Sequence, residues 1–422
     1  MKTISKDKIK IAVIGSGVSG LVSAWLLSRH HDVSIFEKND YVGGHVHTHT
    51  FESSIGPQNV DSGFIVFNDK TYPNFEKIIT SLGIKFQDTT MGFSLKTDDD
   101  FEYSGNSFRS LFAKKRHIFS PRFYSFLSNI VKFNKCSLNN LNSVSEDVTL
   151  NTYLKSINVS QLSIDNYIVP MGASIWSTDP HKILDMPAVF FLKFLSNHGL
   201  LNISNRPQWR VICNGSKSYV EKLIDSMNTT IHLATPVKSI SRTNSGVCLD
   251  LADKKLDFDK VVLATHSDQA LQLLNDPTDD EKNALSNIKY QKNTATIHTD
   301  IRILPKRKSA WSSWNYFKSK KQKSVLLTYN MNILQNLKSD EVFNVTINDP
   351  GIINPNKILK IINYEHPLFT VDSINAKKKI SSLNGSNHTY FCGAYLGNGF
   401  HEDGVKSALE VCDQFNIGLD NE

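Results

Sequence analysis

In this 422-residue chain, the residues best suited to chemistry are three spaced glycines, an acid that follows them, and a histidine in a turn at the far end. GSGVSG (15–20) sets Gly15, Gly17 and Gly20 at GxGxxG spacing, with Ser19 among them, and Glu37 follows 22 residues after Gly15. Such glycines let the backbone turn tightly, approach a pyrophosphate and bring a helix close to a strand, while the acid accepts hydrogen bonds from ribose hydroxyls. The spacing alone is weak, and its surroundings make it specific. IKIAVI (9–14) reads as a strand, LVSAWLLSRH (21–30) as a helix, and VSIFEK (33–38), carrying Glu37 and Lys38, as a second strand. A helix starting at the glycines points free N–H groups and positive partial charge at phosphates. The acid also disfavours a 2′-phosphate, which leaves NAD and FAD as candidate dinucleotides.

The next segment separates the two. KNDYVGGHVHTHTF (38–51) brings a second glycine pair, Gly43 and Gly44, followed by VDSGFIVFN (60–68) with Gly63 and Phe64. An NAD domain needs no such pair directly after its acid, whereas FAD runs on past its pyrophosphate and the chain must track beside it. At the other end, GNGFHEDG (397–404) puts a histidine and two carboxylates inside a glycine-rich turn. Between them, His45, His47 and His49 alternate along one stretch, so in a strand the three would share one face. No carboxylate or cysteine completes a metal-ligand set, and no metal is expected.

These motifs resemble the flavin amine-oxidase superfamily, whose pattern is GxGxxG, an acid, GG followed by arginine, then D-x-G. His45 stands here where that pattern has arginine. TPVKSI (235–240) resembles the segment whose valine, here Val237, meets the adenine end of FAD through its backbone. KVVLATHSDQAL (260–271) looks like the strand that re-enters the nucleotide-binding sheet, ending in Ala264 and Thr265. FCGAYLGNGFHEDGVKSALEV (391–411) resembles the C-terminal FAD segment, which implies cofactor contacts from Gly393, Ala394, Phe400 and His401. In that segment a helix N-terminus faces the pyrimidine side of the flavin ring and stabilises its reduced anion. The resemblance implies FAD as cofactor and an α/β fold: a Rossmann-type FAD-binding domain with an interleaved α+β substrate domain. Within the turn, His401 and Glu402 are the catalytic candidates, Glu402 also suits a buried structural hydrogen bond, and Asp403 suits the cap of the helix that follows.

YIVPMGASIWSTDP (167–180), YQKNTATIHTDIRILP (290–305), AWSSWNY (310–316) and LLTYNMNILQ (326–335) carry a narrower resemblance. With the GFHEDG turn, they are similar to a bacterial family of predicted FAD-dependent oxidoreductases associated with cyclopropane-fatty-acid-synthase-type methyltransferases. Members act on methylated unsaturated acyl chains in furan-fatty-acid formation. That implies an apolar or lipid substrate, a lipid methyltransferase as partner, and hydride removal to flavin N5 with formation of a double bond. Independently, the aromatic-rich PAVFFLKFLSNHGLL (187–201) and the residues Trp176, Trp311, Trp314 and Tyr316 suit the wall of an apolar tunnel. His298 and Asp300, two apart in IHTD, join His401 and Glu402 as candidate bases. An amine oxidase, a flavin-dependent double-bond isomerase and a non-catalytic FAD-binding partner of a methyltransferase are the alternatives.

The elements that must position these residues divide the chain. The motifs assign 1–74, 205–275 and 386–422 to FAD binding and 75–204 and 276–385 to the substrate domain. The net charge of +6 reads as scattered lysine rather than a nucleic-acid groove, and no nucleic-acid partner is expected. The denser runs AKKRH (113–117), KSKKQK (318–323) and AKKKI (376–380) read as solvated surface, with a face resting on an anionic membrane as the alternative. Five dispersed cysteines fit a reducing compartment. The N-terminus has no signal-like apolar run, and no uncharged stretch is long enough to cross a bilayer. A cytoplasmic protein, peripheral to a membrane at most, is expected.

Overall fold

Short runs of β-branched residues, apolar on both faces, belong in a parallel sheet covered on both sides, and the computed structural model of the chain has this arrangement. It describes residues 8–176, 179–202, 206–319 and 326–420. Five parallel strands stand in the order Thr230–His232, Asp32–Phe36, Lys10–Ile14, Lys260–Leu263 and Thr389–Phe391. Ile14 pairs with Phe36 on one side and Leu263 on the other, so the carboxyl ends of the central strands are level. Ligands bind at such an edge in open α/β sheets.

Two of the helices that start at this edge meet each other. Val18–Leu27 follows the first strand directly and is almost wholly buried, in keeping with its near-continuous apolar sequence. His401–Asp413 follows the last strand after a short turn, and Gly404 makes its close approach feasible. A Cβ on Gly404 would lie 2.6 Å from Val18 Cγ1 and 2.9 Å from Ser19 Oγ. Two helix N-termini therefore sit side by side.

The second layer is a mixed seven-stranded sheet in the order Ile358–Pro367, Tyr290–His298, Asn344–Ile347, Leu327–Asn330, Trp314–Lys318, Phe93–Thr97 and Glu102–Ser104. Only Trp314–Lys318 and Phe93–Thr97 run parallel among its pairs. Helices Pro121–Asn140, Val169–Trp176 and Ala188–Asn197 pack beside it around one aromatic core that includes Phe123, Phe126, Phe191 and Trp176. Gly172 permits the closest of these contacts, because its Cβ would stand 2.7 Å from the Phe191 ring. The parallel sheet and the mixed sheet together form the expected α/β arrangement, a Rossmann-type sheet with an interleaved α+β part. Ser177 and Thr178 of the 167–180 motif, most of KSKKQK, the first seven residues and the 204/205 boundary lie outside the described residues. Among the described residues, no helix is long and apolar enough to cross a membrane.

Candidate active site

A cavity of about 1320 Å³ runs from the carboxyl edge of the parallel sheet to the mixed sheet and its helices. Typical small-molecule pockets reach about 1000 Å³, so this one has room for a large ligand with a second molecule beside it.

The glycine turn forms one end. Gly15 has φ +99°, and a Cβ there would meet Ala264 O at 2.8 Å; a Cβ on Gly20 would stand 2.0 Å from Gly15 O. Gly17 differs from both: its Cβ would meet no protein atom within 4 Å, and the residue lines the cavity. Its backbone is thus bare toward the void at the N-terminus of Val18–Leu27, which suits a phosphate group. Glu37 fixes the turn, with Oε2 accepting from Ser16 N (2.9 Å) and Ser16 Oγ (2.7 Å), and Oε1 from Asn39 N (2.9 Å) and Nδ2 (2.8 Å). Glu37, Lys38 and Val237 line the cavity together at this end. Gly44, at φ +58°, lies against the glycine turn, its Cβ position 3.1 Å from Gly17 Cα, and Gly43 has φ +114°. The second glycine pair therefore continues the wall begun by the first. Ser19, Gly63, Phe64, Ala264, Gly393 and Ala394 complete that wall.

His45 is buried beside this wall. Its ring stacks on Tyr364 (centroids 4.8 Å) and neighbours those of His366 (5.4 Å) and His266 (6.5 Å), and its Nε2 has no hydrogen-bond partner. Burial, aided by His266, pushes its pKa down to about 4. Burial and His45 lower His366 to about 3; burial, His366 and Lys38 lower His266 to about 4. The expected arginine is thus replaced by three neutral imidazoles that line one cavity, two of them, His45 and His266, with a ring nitrogen that has no hydrogen-bond partner. His47 and His49 lie apart from His45, their rings 4.0 Å from each other. Among the described residues, no group of His, Cys, Asp and Glu is arranged to hold a metal ion.

At the other end of the sheet edge is the turn 397–404. Phe400 and His401 line the cavity. His401 stacks on Phe64 with centroids 3.7 Å apart, and its Nε2 is 2.7 Å from Tyr219 Oη. Burial, aided by His45, pushes its pKa down to about 3, so the imidazole is neutral at physiological pH. With Nε2 engaged by Tyr219, Nδ1 is the ring nitrogen left for a ligand. The Phe400 ring stacks on Phe194 at 4.9 Å. Lys377 steadies the turn from behind: its Nζ donates to Gly397 O and lies 4.3 Å from the centre of the Phe369 ring. Burial lowers this lysine to about 8, against an opposing pull from Asp403.

Several expected residues have other duties. The Glu402 carboxylate accepts from Asn74 N (3.2 Å), Asn74 Nδ2 (2.7 Å) and Phe75 N (2.9 Å). It satisfies the N-terminus of helix Pro73–Ser81 and does not reach the cavity, which removes it from the candidate bases. Asp403 is not the cap residue; the helix starts two residues earlier, and Asp403 Oδ2 reaches back to accept from Phe400 N at 2.9 Å. His298 is fully buried between Thr346 Oγ1 (2.7 Å) and Asp300 N (3.0 Å), and Asp300 is paired with Arg302 at 2.5 Å. Neither lines the cavity. Trp176 and Trp314 do, whereas the Trp311 indole donates to Pro305 O (2.8 Å) and Tyr316 is buried in the aromatic core. Sequence reasoning missed Tyr219, which sits in an unremarkable amphipathic helix 182 residues from His401, and the pair His266 and His366. His266 was within reach, since it directly follows the re-entrant strand segment ending in Thr265.

The third region of the cavity lies against the mixed sheet and its helices, walled by Phe93, Tyr103, Met171, Trp176, Phe194 and Trp314 among others. The only acids lining the whole cavity among the described residues are Glu37 and Glu365, and neither belongs to this end.

The model of the flavin containing amine oxidoreductase family matches residues 18–329. The chain belongs to that family, and FAD is the cofactor and flavin-dependent oxidoreduction the class of activity that come with membership. Tryptophan 2-monooxygenase of Allorhizobium ampelinum is 60% identical over 47 residues, which are 11% of this chain and 6% of that protein. The chain thus matches only a small fraction of this curated relative's length. Among solved structures, a CLA-producing fatty acid isomerase from P. acnes is similar with TM-score 0.68 and 16% identity over 98% of this chain and 100% of that one. Cyclohexylamine oxidase from Brevibacterium oxydans is similar with TM-score 0.69 and 14% identity over 97% of this chain and 100% of that one. At these identities the two structures share the fold.

The cavity fits the cofactor. It offers a bare glycine backbone at one helix N-terminus, an acid at the end of the second strand, and a second helix N-terminus beside His401. FAD has an anionic pyrophosphate, a ribose diol and an electron-accepting ring for those three features.

Proposed function

We propose that the protein is an FAD-dependent oxidoreductase that removes a hydride and a proton from a methylated, unsaturated fatty-acyl chain and leaves a new double bond. The observation that carries this reading is the substrate end of the cavity, with its aromatic and aliphatic walls and no carboxylate. An ammonium substrate would want an acid or a cage of acceptors there; an acyl chain wants apolar area. Arg206 also lines this end and offers a counter-charge to a carboxylate or phosphate headgroup. The 167–180, 290–305, 310–316 and 326–335 motifs favour the same substrate class through the family they resemble.

In this reading Gly15, Gly17, Ser19 and Gly20 hold the pyrophosphate of FAD, and Glu37, Lys38 and Val237 its adenosine end. Gly43, Gly44, His45, Gly63, Phe64, Ala264, Gly393 and Ala394 follow the cofactor along the cavity, and Phe400 and His401 meet the flavin. Segments 1–74, 205–275 and 386–422 then bind cofactor, while 75–204 and 276–385 enclose substrate. When bound, FAD supplies the two-electron acceptor for the hydride. The protein contributes orientation, exclusion of water and a proton site. The stack of Phe400 on Phe194 confines the acyl chain. Tyr219 and Phe64 fix the His401 ring, and negative charge developing beside it raises its affinity for a proton. Such an enzyme would work in the cytoplasm at a membrane face, after a lipid methyltransferase has supplied the methylated chain.

The test is incubation of holoenzyme with phospholipid bearing a methyl-branched unsaturated chain and an artificial electron acceptor, read by product mass. Loss of two hydrogens from the acyl chain supports the reading. An unchanged mass with a shifted double bond assigns isomerisation instead, and unchanged lipid alongside turnover of an amine assigns amine oxidation.

A further inference from the structure

Between Gly105 and Asn140 the chain has seven Lys and Arg residues and no Asp or Glu, a local excess larger than the +6 of the whole protein. The positive charge is therefore not scattered; the rest of the chain carries none of the net excess. The same stretch holds six of the thirteen large hydrophobic residues that are exposed among the described residues. Phe119 is 86% exposed and Phe108 77%.

These residues share a surface. The helix Pro121–Asn140 presents Tyr124, Val131 and Leu138 on one stripe, spaced by seven, while Phe123, Phe126 and Phe133 face the core. Lys135 falls on the exposed stripe between Val131 and Leu138. The Phe108 ring packs on Phe112 (4.8 Å), Phe112 neighbours Tyr124 (6.1 Å), and Tyr124 Oη donates to Ile118 O (3.0 Å), which ties the short helix and the 115–119 turn to the long helix. Lys114 is paired with Asp100. Arg109, Lys115, Arg116, Arg122 and Lys135 form no ion pair among the described residues. Solvated lysines alone would be unremarkable, but exposed phenylalanines among unpaired cations need a partner that is apolar and anionic at once.

We infer that the face built by Phe108, Ile118, Phe119, Tyr124 and the surrounding Arg and Lys residues docks on an anionic phospholipid bilayer. The phenylalanines enter the headgroup and acyl boundary, and the cations stay at the phosphates, their stems lying along the apolar surface. A nucleic acid would meet the charge but would leave Phe108 and Phe119 without a function. The face adjoins the cavity, since Gly105 and Asn106 line it immediately before Ser107 caps the helix Phe108–Leu111. Docking would thus bring the cavity wall to the lipid surface. The inference rests on this face alone and holds whatever substrate the cavity takes.

The experiment is flotation of holoenzyme with vesicles of phosphatidylcholine, or of an equal mixture of phosphatidylcholine and phosphatidylglycerol. Flotation with the mixed vesicles only, weakened by salt, is the expected result. Phe108→Ser combined with Phe119→Ser, and separately Lys115→Glu combined with Arg116→Glu, should each lower the partition coefficient about tenfold or more with unchanged flavin content and melting temperature. Absence of flotation with the mixed vesicles would overturn the inference. So would binding that the phenylalanine variant leaves intact and that heparin or duplex DNA abolishes, because that pattern belongs to a polyanion site.

Discussion

Gly17→Val separates cofactor binding from folding, and the structure sets the size of both effects. Gly17 has φ −67°, an ordinary value for any residue, and its Cβ position meets nothing within 4 Å. A Cβ therefore meets no protein atom there, and the fold loses chiefly the preference for glycine over valine at a helix N-cap, about 1 kcal/mol. For a chain of 422 residues that corresponds to a fall of about 1 °C in the melting temperature of the apoprotein. The space the valine fills is where a pyrophosphate would approach the backbone. Loss of two charge-assisted hydrogen bonds there, at about 1.5 kcal/mol each, weakens FAD binding by about a hundredfold. Gly20→Ala is the contrasting change, since its Cβ would stand 2.0 Å from Gly15 O and the helix would have to move. It should destabilise the apoprotein by about 1–3 kcal/mol. The assay is flavin absorbance per protein after gel filtration, beside thermal melts of the stripped proteins. Full flavin content in Gly17→Val would refute the placement of the pyrophosphate.

Three further outcomes are expected. His401→Ala should retain FAD yet lower its reduction potential or the turnover rate, and Tyr219→Phe, which frees Nε2 of His401, should shift the same quantities less; unchanged potential and rate in His401→Ala would leave the residue a packing role. Glu402→Ala should cost about 1–3 kcal/mol of stability by orphaning the Asn74 and Phe75 N–H groups, with turnover per bound flavin preserved; a selective loss of turnover would return Glu402 to the chemistry. His45, His266, His366 and His401 have folded pKa values of about 4, 4, 3 and 3, all depressed from 6.5 mainly by burial. Their contribution to apoprotein stability is therefore full above pH 6.5 and is lost as pH falls through those values. Melts of stripped protein should show this decline, and it should be shallower in His366→Asn; a flat profile across that range would contradict neutral burial.

The nucleotide-binding half was legible because its signals are local. Gly15, Gly17 and Gly20 lie within one turn, and the strands Lys10–Ile14 and Asp32–Phe36 flank them in sequence as they do in space. The half built on the mixed sheet is joined by long-range contacts that no local pattern announces. His401 could be named from its turn, but Tyr219, which holds it, comes from another helix. Glu402 looked like a candidate base because an acid in a glycine turn invites that reading; its three donors belong to residues 74 and 75, which sequence cannot bring near. His298 ends the strand Tyr290–His298 and Asp300 caps the short helical turn after it, and both face a hydrogen-bonded interior instead of the void. AKKRH (113–117) could be read from sequence only as solvated surface with a membrane face as the alternative, since only the fold shows that Phe108, Phe119 and Tyr124 beside it are exposed.

The most direct test of the central claim is an anaerobic titration of the purified holoprotein with phospholipid carrying a methyl-branched unsaturated chain, followed by absorbance. The account predicts bleaching of the oxidised flavin band in proportion to added lipid, with one more double bond in each lipid consumed. A flavin band that stays oxidised while the lipid is recovered unchanged would contradict it.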